Sequence, residues 1–408
     1  MLKVIEAFSG IGSQRQALKN IDADFEIVAT LEWDINAVYA YDIIHHGPQD
    51  FIDFPTLTKN EIIDKLISLG ASVDGKKTAS KLSLNYYSIE ALESILYAFI
   101  RNNNLGSITE VTASKLPDDI DIFTYSFPCQ NLSACGAWHG YMTGIDKINK
   151  NQSNMIWEVG RILKETKYLN KKLPKFMLME NVKNITYKVN KENFEVWKEF
   201  LEELGYVNKI FHLDALEFGI PQHRKRAFMV SILSNENESR DDIYDFLENI
   251  KFNFKSQQDL SLFLRVDYSN LKYRKEAEAS NPNNTKSRKK IYDENDLLFN
   301  GHIIDRPFAK TITTKQDRHP NSGVLYYEGL KKGKAKFRYL TPRECFLLMG
   351  FPEEAYDMLI NNNVEVKKGF KLLTLEKQYK LAGNSIVVNV LEEVFRQLII
   401  YKQMSMAC

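Results

Sequence analysis

Apolar residues recur in two rhythms along the first half of the chain. Short apolar runs at 2–8, 26–32, 120–126 and 175–181 read as buried strands, and helical spacing follows each of them. The clearest helix is 154–165, where Met155, Ile156, Val159, Ile162 and Leu163 share one face. Strand patterns at 207–215 and 226–233 complete the series. Repeated strand–helix units predict an α/β fold, a parallel, doubly wound, Rossmann-like sheet with helices on both faces. Sites in such sheets form at the carboxyl ends of strands, which places chemistry just after residues 8, 32, 126 and 180.

Two segments break the rhythm. Residues 46–105 read as an insert, helical around 58–69 and 88–101. From about 232 to 305 the chain is polar, and 281–290 reads as an exposed loop. Ile386, Val390, Val394 and Leu398, four apart, predict a closing helix. The expected division is 1–231 as a catalytic and cofactor-binding domain, 232–379 as a smaller, mostly irregular or β domain, and 380–408 as a helix returning to the first.

Composition narrows the class. The 408 residues are 44% hydrophobic and 26% charged, ordinary for a globular chain with room for two or three domains. No apolar run is long enough to span a membrane, and the first residues carry no signal-peptide pattern, so a cytoplasmic protein is expected. Four cysteines exclude a disulfide scaffold, and the spacing of Cys129 and Cys135 suits neither zinc nor a redox pair, so no metal is expected. A net charge of +1 leaves a nucleic-acid partner to local evidence. Between 265 and 292, eight Lys/Arg stand against three acids, with Tyr268, Tyr273 and Tyr292 interleaved; on its own this is a solvated surface.

Four constellations carry candidate chemistry. Gly10 and Gly12 follow a strand and open a helix, where a ligand can approach the backbone. Glu32 ends the next strand, placed to grip a ribose diol, and Trp33 beside it can pack on an adenine. The third glycine of a dinucleotide loop is absent, which favours a nucleoside without pyrophosphate, S-adenosylmethionine foremost. Cys129 leaves a buried strand directly after Pro128; it is either a small buried hydrophobe or a nucleophile that needs donors or positive charge nearby. Glu180, at the end of another strand, is either solvated or half-buried with a raised pKa, and Asn181 can hold its turn. Arg224 and Arg226 alternate, so an extended backbone points both the same way, toward phosphate or carbonyl oxygens; a charged strand edge is the alternative.

In this order the segments resemble the DNA (cytosine-5) methyltransferase family of bacteria and phages, over most of 1–231 and again about 306–390. The resemblance implies S-adenosyl-L-methionine bound by Phe8, Ser9, Gly10, Ile11, Gly12, Glu32, Trp33, Ser107, Ile108, Pro128, Met155, Asn384, Ser385 and Ile386. Ser107 stands where the family usually has Asp. It implies Cys129 as the thiol that attacks carbon 6 of a flipped cytosine, Glu180 as the group at N3, and Arg226 with Arg224 at the ring carbonyl and around the thiol. Gln130, Ser133, Asn181, Gln222, Arg274, Lys275, Arg288, Lys289 and Thr313 are the implied DNA-side residues, with the basic stretch 265–292 as part of target recognition. Double-stranded DNA is the implied partner, a cognate restriction endonuclease a further one, and a monomer the expected state. The rivals are a tRNA cytosine-5 methyltransferase with the same chemistry and a catalytically inactive DNA-binding regulator. A nicotinamide-type oxidoreductase ranks last, because the phosphate loop is incomplete.

Overall fold

The apolar runs become strands of one sheet, and their alternation decides which helices cover which face. A computed structural model describes residues 1–128, 155–187, 190–236, 238–319 and 321–407. Its first strands are β1 (Leu2–Ala7), β2 (Phe25–Leu31), β3 (Ile122–Tyr125), β4 (Phe176–Val182), β5 (Tyr206–Asp214), β6 (Gln222–His223) and β7 (Lys225–Leu233). All but β6 form a six-stranded sheet in the order β2-β1-β3-β4-β7-β5. Val4, Ile122, Phe176, Leu178, Phe228 and Val230 point to one face, under the helices Ser13–Asn20, Ile35–His46, Ile89–Arg101 and Val388–Ala407. Their neighbours Ile5, Phe123, Met177, Met179 and Met229 point to the other, under Met155–Tyr168 and Lys191–Glu203.

The sheet is mixed rather than wholly parallel. β2, β1, β3 and β4 run parallel, but β7 is antiparallel to both β4 and β5. Only residues 215–224 join β5 to β7, too few for the dozen or more that a parallel crossover requires. Strand order reverses between β1 and β3, so the crevice outside their carboxyl ends is the switch point where such sheets bind ligands.

The remaining strands are β8 (Leu297–Phe299), β9 (Ala309–Lys310), β10 (Val324–Tyr326), β11 (Phe337–Tyr339), β12 (Glu365–Lys367) and β13 (Phe370–Lys371). β11, β10 and β8 make a small sheet over Val324, Ala335, Phe337 and Tyr339. Between 232 and 305 the chain forms the helices Arg240–Glu248, Leu271–Ala279 and Lys286–Glu294. The last of these replaces part of the exposed loop expected at 281–290. Thr285 starts it by accepting the Arg288 N–H at 3.3 Å, an N-cap the sequence contains but the basic run disguises.

The insert packs on the main core. Its helix Ile89–Arg101 runs beside Ile35–His46, and the Arg101 guanidinium pairs with the buried Asp42 carboxylate at 2.7 Å. The closing helix Val388–Ala407 returns to β1's side of the sheet, where the Asn20 amide donates to Glu392 Oε1 at 2.8 Å. Among the described residues no helix is long and apolar enough to cross a membrane.

Candidate active site and cofactor crevice

Strand register assembles the site. Ala7 pairs with Tyr125, and Tyr125 with Met179, so the three stand abreast at the carboxyl edge of the sheet. The residues that leave that edge are therefore the Phe8–Gly12 loop, the Ser126–Pro128 segment and Glu180.

The glycine loop is built around positive φ. Phe8 (φ 57°), Gly10 (φ 55°) and Gly12 (φ 77°) are all left-handed, and Gly12 N–H donates to Ser9 O at 2.9 Å, closing a tight turn. A Cβ on Gly12 would stand 2.2 Å from His45 Nε2, whereas a Cβ on Gly10 would meet nothing within 4 Å. Gly12 is thus demanded by packing, and Gly10 opens onto space that a ligand can fill. Gly10 N–H donates to Glu32 Oε2 at 3.1 Å, while Glu32 Oε1 accepts from Trp33 N and Asp34 N, both at 2.9 Å. Burial, with the negative charge of Asp34 adding, pushes the Glu32 carboxyl up to about 7. Trp33 is half-buried beside it. This donor set fits S-adenosylmethionine: a carboxylate for a ribose diol, an indole for an adenine face, and an open cradle at a helix N-terminus.

Ser107 and Ile108 are buried; Ser107 Oγ shares a hydrogen bond with Thr109 Oγ1 at 2.8 Å, and Ile108 O accepts from Arg161 at 2.9 Å. Met155 opens its helix and, with Phe8, borders the core on the second face. Asn384 is exposed where the helix Leu375–Asn384 ends, and Ser385 and Ile386 are buried in the turn that follows. An added Cβ on Gly383 would lie 2.4 Å from Thr314 N, so this turn presses backbone on backbone against residues 313–314.

The catalytic edge joins β4 to β7. Val182 pairs with Arg226, which sets Arg226 diagonally across from Glu180 on one face. Arg226 Nε lies 3.4 Å from Glu180 Oε1, and both side chains are mostly buried. Burial raises the Glu180 carboxyl above the usual carboxylate range, against the opposing charges of Arg226 and Arg224. Asn181 is buried; its amide donates to Phe127 O at 3.1 Å and its Oδ1 accepts the Val182 N–H at 2.8 Å. It ties the end of β4 to the backbone just before the half-buried Pro128. Cys129, Gln130 and Ser133 lie outside the described residues.

Three of the expected site side chains make inward contacts. Arg224 and Arg226 line one small cavity with Ile386, as alternation requires. The Arg224 guanidinium also donates to Ile312 O (2.8 Å), Gly383 O (3.1 Å) and Ser385 O (2.7 Å), so it clamps two distant segments. Gln222 is fully buried on β6, donating to Leu348 O at 2.7 Å and accepting Ile312 N–H at 2.8 Å, and so braces the interior. Asn181 likewise spends its amide on backbone at Phe127 and Val182.

Part of the aromatic and basic interleaving at 265–292 is taken up by pairs within the protein. Arg265 pairs with Glu353 at 2.7 Å, Lys272 with Asp357 at 2.9 Å, and Tyr268 and Tyr273 lie against the guanidiniums of Arg338 and Arg343. Arg338 itself is buried with Glu344 in a two-pronged pair at 2.7 and 2.8 Å. Arg288 donates to Asp317 O and pairs with the Asp317 carboxylate at 3.1 Å, and Thr313 Oγ1 donates to Lys315 O at 2.8 Å, which turns both toward the protein. Arg274 is half-exposed, and Lys275 and Lys289 are exposed.

Two features escaped the sequence reading. The side chain of Asn104 accepts both Glu32 N–H (3.3 Å) and Gly106 N–H (2.8 Å), welding the end of β2 to the Ser107 segment; nothing in the sequence singles it out. The loop between β10 and β11 carries Lys331, Lys332, Lys334 and Lys336, with Leu330 82% exposed at its tip. Asn284 N–H donates to Gly333 O at 2.8 Å and Ala335 N–H to Pro282 O at 2.9 Å, so this loop lies directly beside the helix that carries Lys286, Lys289 and Lys290. The run KKGKAK was legible, but only its neighbour in space shows that two basic segments form one strip.

Comparison with known proteins gives the family. A model of C-5 cytosine-specific DNA methylases matches residues 2–71 and 65–400. The type II methyltransferase M2.ScrFI of Lactococcus lactis subsp. cremoris is 33% identical over 98% of this chain and 99% of its own length. The orphan methyltransferase M.SssI of Spiroplasma monobiae is 30% identical over 97% of each. The crystal structure of the S. pombe Dnmt2 methyltransferase shares the fold, with a TM-score of 0.57 over 98% of both chains at 19% identity. The chain belongs to the C-5 cytosine-specific DNA methylase family.

Proposed function

We propose that the protein methylates carbon 5 of cytosine in double-stranded DNA from S-adenosyl-L-methionine, acting as a monomer. The observation that carries this reading is the shared edge: the glycine loop, the segment entering Cys129 and the Glu180–Arg226 pair leave adjacent strand ends. Carbon 5 of cytosine is a weak nucleophile. The Cys129 thiolate adds to carbon 6, and the ring electrons move to carbon 5, giving an enamine. Glu180, whose proton burial helps it hold, hydrogen-bonds or protonates N3 and stabilises that adduct. Arg226 holds the ring carbonyl. When bound, S-adenosylmethionine supplies an electrophilic methyl on a sulfonium. A base then removes the carbon 5 proton and Cys129 leaves as thiolate, restoring the ring. The target base must leave the stack, which costs a few kcal/mol, and phosphate contacts along the basic strip of 286–290 and 331–336 offset it.

One relative is named a type II methyltransferase and another an orphan methyltransferase. A restriction endonuclease of matching specificity is the partner the first name brings, and the chemistry itself does not need it. The test is methyl transfer from labelled cofactor to duplex DNA and to tRNA, followed by bisulfite sequencing of the product. Label in duplex cytosines supports the reading. Label in tRNA alone moves the substrate to RNA, and label in neither leaves a DNA-binding regulator.

A further inference from the structure

Residues 46–105 hold none of the groups used in the chemistry above, yet they are built into its crevice. The turn at 69–72 touches, through backbone alone, both segments expected to hold the nucleoside. On one side Ser72 N–H donates to Trp33 O at 2.7 Å and Ile35 N–H donates to Ser72 O at 3.0 Å, a parallel bridge between Asp34 and Ser72. On the other, Ser107 N–H donates to Leu69 O at 2.9 Å. The approach is close: a Cβ on Gly106 would stand 1.9 Å from Leu69 O, and one on Gly70 2.9 Å from Ser107 Cβ. No side chain fits between these backbones.

One ammonium group locks the arrangement. Lys380 Nζ donates to Asp34 Oδ2 and to Asp74 O, each at 2.8 Å. Asp34 follows Glu32 and Trp33, Asp74 belongs to the insert, and Lys380 lies on the helix that ends at Asn384. Gly75 leaves room for this junction, since a Cβ there would lie 2.8 Å from Lys380 Nζ. Asp34 Oδ1 meanwhile accepts Asn36 N–H at 3.0 Å as the N-cap of the helix Ile35–His46. Three stretches far apart in sequence therefore meet at one charge.

We propose that the insert is the back wall of the cofactor crevice and that Lys380 is a positioning residue that clasps it to the Glu32–Trp33 segment. The proposal rests on the cofactor reading given above. A wall fixed before the ligand arrives spares the ordering cost of binding, so the clasp acts on cofactor affinity rather than on the transfer step. Two variants remove it by independent routes. K380M keeps the aliphatic stem, and D34N keeps an N-cap, because Asn caps helices as well as Asp does. Binding of S-adenosylhomocysteine is measured by calorimetry, with steady-state kinetics for S-adenosylmethionine and a duplex-binding assay alongside. Each variant is expected to weaken cofactor binding about three- to tenfold and to raise KM equally, since losing one ordered segment carries about that effect. Saturated kcat and duplex affinity stay within about twofold of wild type, K380R restores binding, and the double variant is no weaker than either single one. Wild-type cofactor affinity in both single variants overturns the clasp, as does a fall in kcat at unchanged KM or an additive double variant. A wild-type protein that binds no S-adenosylhomocysteine overturns the cofactor reading, and the clasp with it.

Discussion

Replacing Gly10 with alanine separates what that glycine does for the fold from what it does for a ligand. Its backbone lies at φ 55°, where an L side chain costs about 1–2 kcal/mol. The new Cβ meets no protein atom within 4 Å, so no packing cost is added. With an unfolding entropy of about 2 cal/mol/K per residue, that strain lowers Tm by about 1–2 °C in a chain of 408 residues. Gly12 is the control, with the same sign of φ at 77° and a different neighbourhood. There a Cβ would stand 2.2 Å from His45 Nε2 and 2.7 Å from Tyr41 Cε2. His45 Nε2–H donates to Ile11 O at 2.9 Å and Tyr41 OH to Glu6 Oε2 at 2.5 Å, so neither ring yields without breaking a buried hydrogen bond. A broken buried bond costs about 1–3 kcal/mol beyond the strain, and G12A is expected to lose about 2–5 kcal/mol in all. Thermal denaturation and calorimetry with S-adenosylmethionine read both effects. G10A should fold almost as well as wild type yet bind the cofactor at least about tenfold more weakly, the equivalent of ~1.4 kcal/mol. Wild-type affinity in G10A refutes the cradle. A G12A protein as stable as G10A refutes the packing argument.

Gln222→Leu leaves Leu348 O and Ile312 N–H without their buried partner, so it should cost about 2–5 kcal/mol in urea unfolding while the folded protein keeps its duplex affinity; weaker DNA binding at unchanged stability would return Gln222 to the interface. Lys331→Gln with Lys332→Gln should reduce the slope of log affinity against log salt by about 2, without changing cofactor binding; an unchanged slope removes this loop from the DNA surface. Burial pushes Glu6 up to about 7, so the folded state holds that proton more tightly and stability falls as pH rises from 4.5 toward 7. Glu32 shares that sign. Burial pushes His45 down to about 3 and His46 to about 4, so the unfolded chain binds their protons better and stability rises with pH up to about 6.5. These slopes oppose each other between about pH 4.5 and 6.5, and Glu6→Gln should make Tm rise with pH across that window; a flat profile in the variant contradicts the assignment.

The main strands and their two faces were legible because periodicity is local. Val4 and Ile5, or Phe176 and Met177, announce opposite faces by alternation alone. The reversal of β7 was also readable in principle from the ten positions 215–224, which cannot hold a crossover helix. The inward contacts of Arg224 and Gln222 were not legible, for a different reason. Their partners, Ile312, Leu348, Gly383 and Ser385, are remote in the chain, and a polar side chain in an active-site motif looks the same whether it faces substrate or interior carbonyls. The pairing within the basic stretch was hidden likewise, because the acids that absorb Arg265 and Lys272 lie on the helix Glu353–Asn361. Asn104 and Lys380 belong to no motif, and only the fold reveals what they hold.

The central claim is a bond between one sulfur and one pyrimidine. A duplex with 5-fluorocytosine at the modified position carries fluorine where the proton must leave, so the elimination that follows methyl transfer stalls with the enzyme attached. Incubation with S-adenosylmethionine, followed by denaturing electrophoresis and peptide mass spectrometry, should give a covalent protein–DNA species attached at Cys129, absent in Cys129→Ser. Methylation of ordinary duplex by Cys129→Ser at the wild-type rate, or a crosslink mapped to any other residue, would contradict the account.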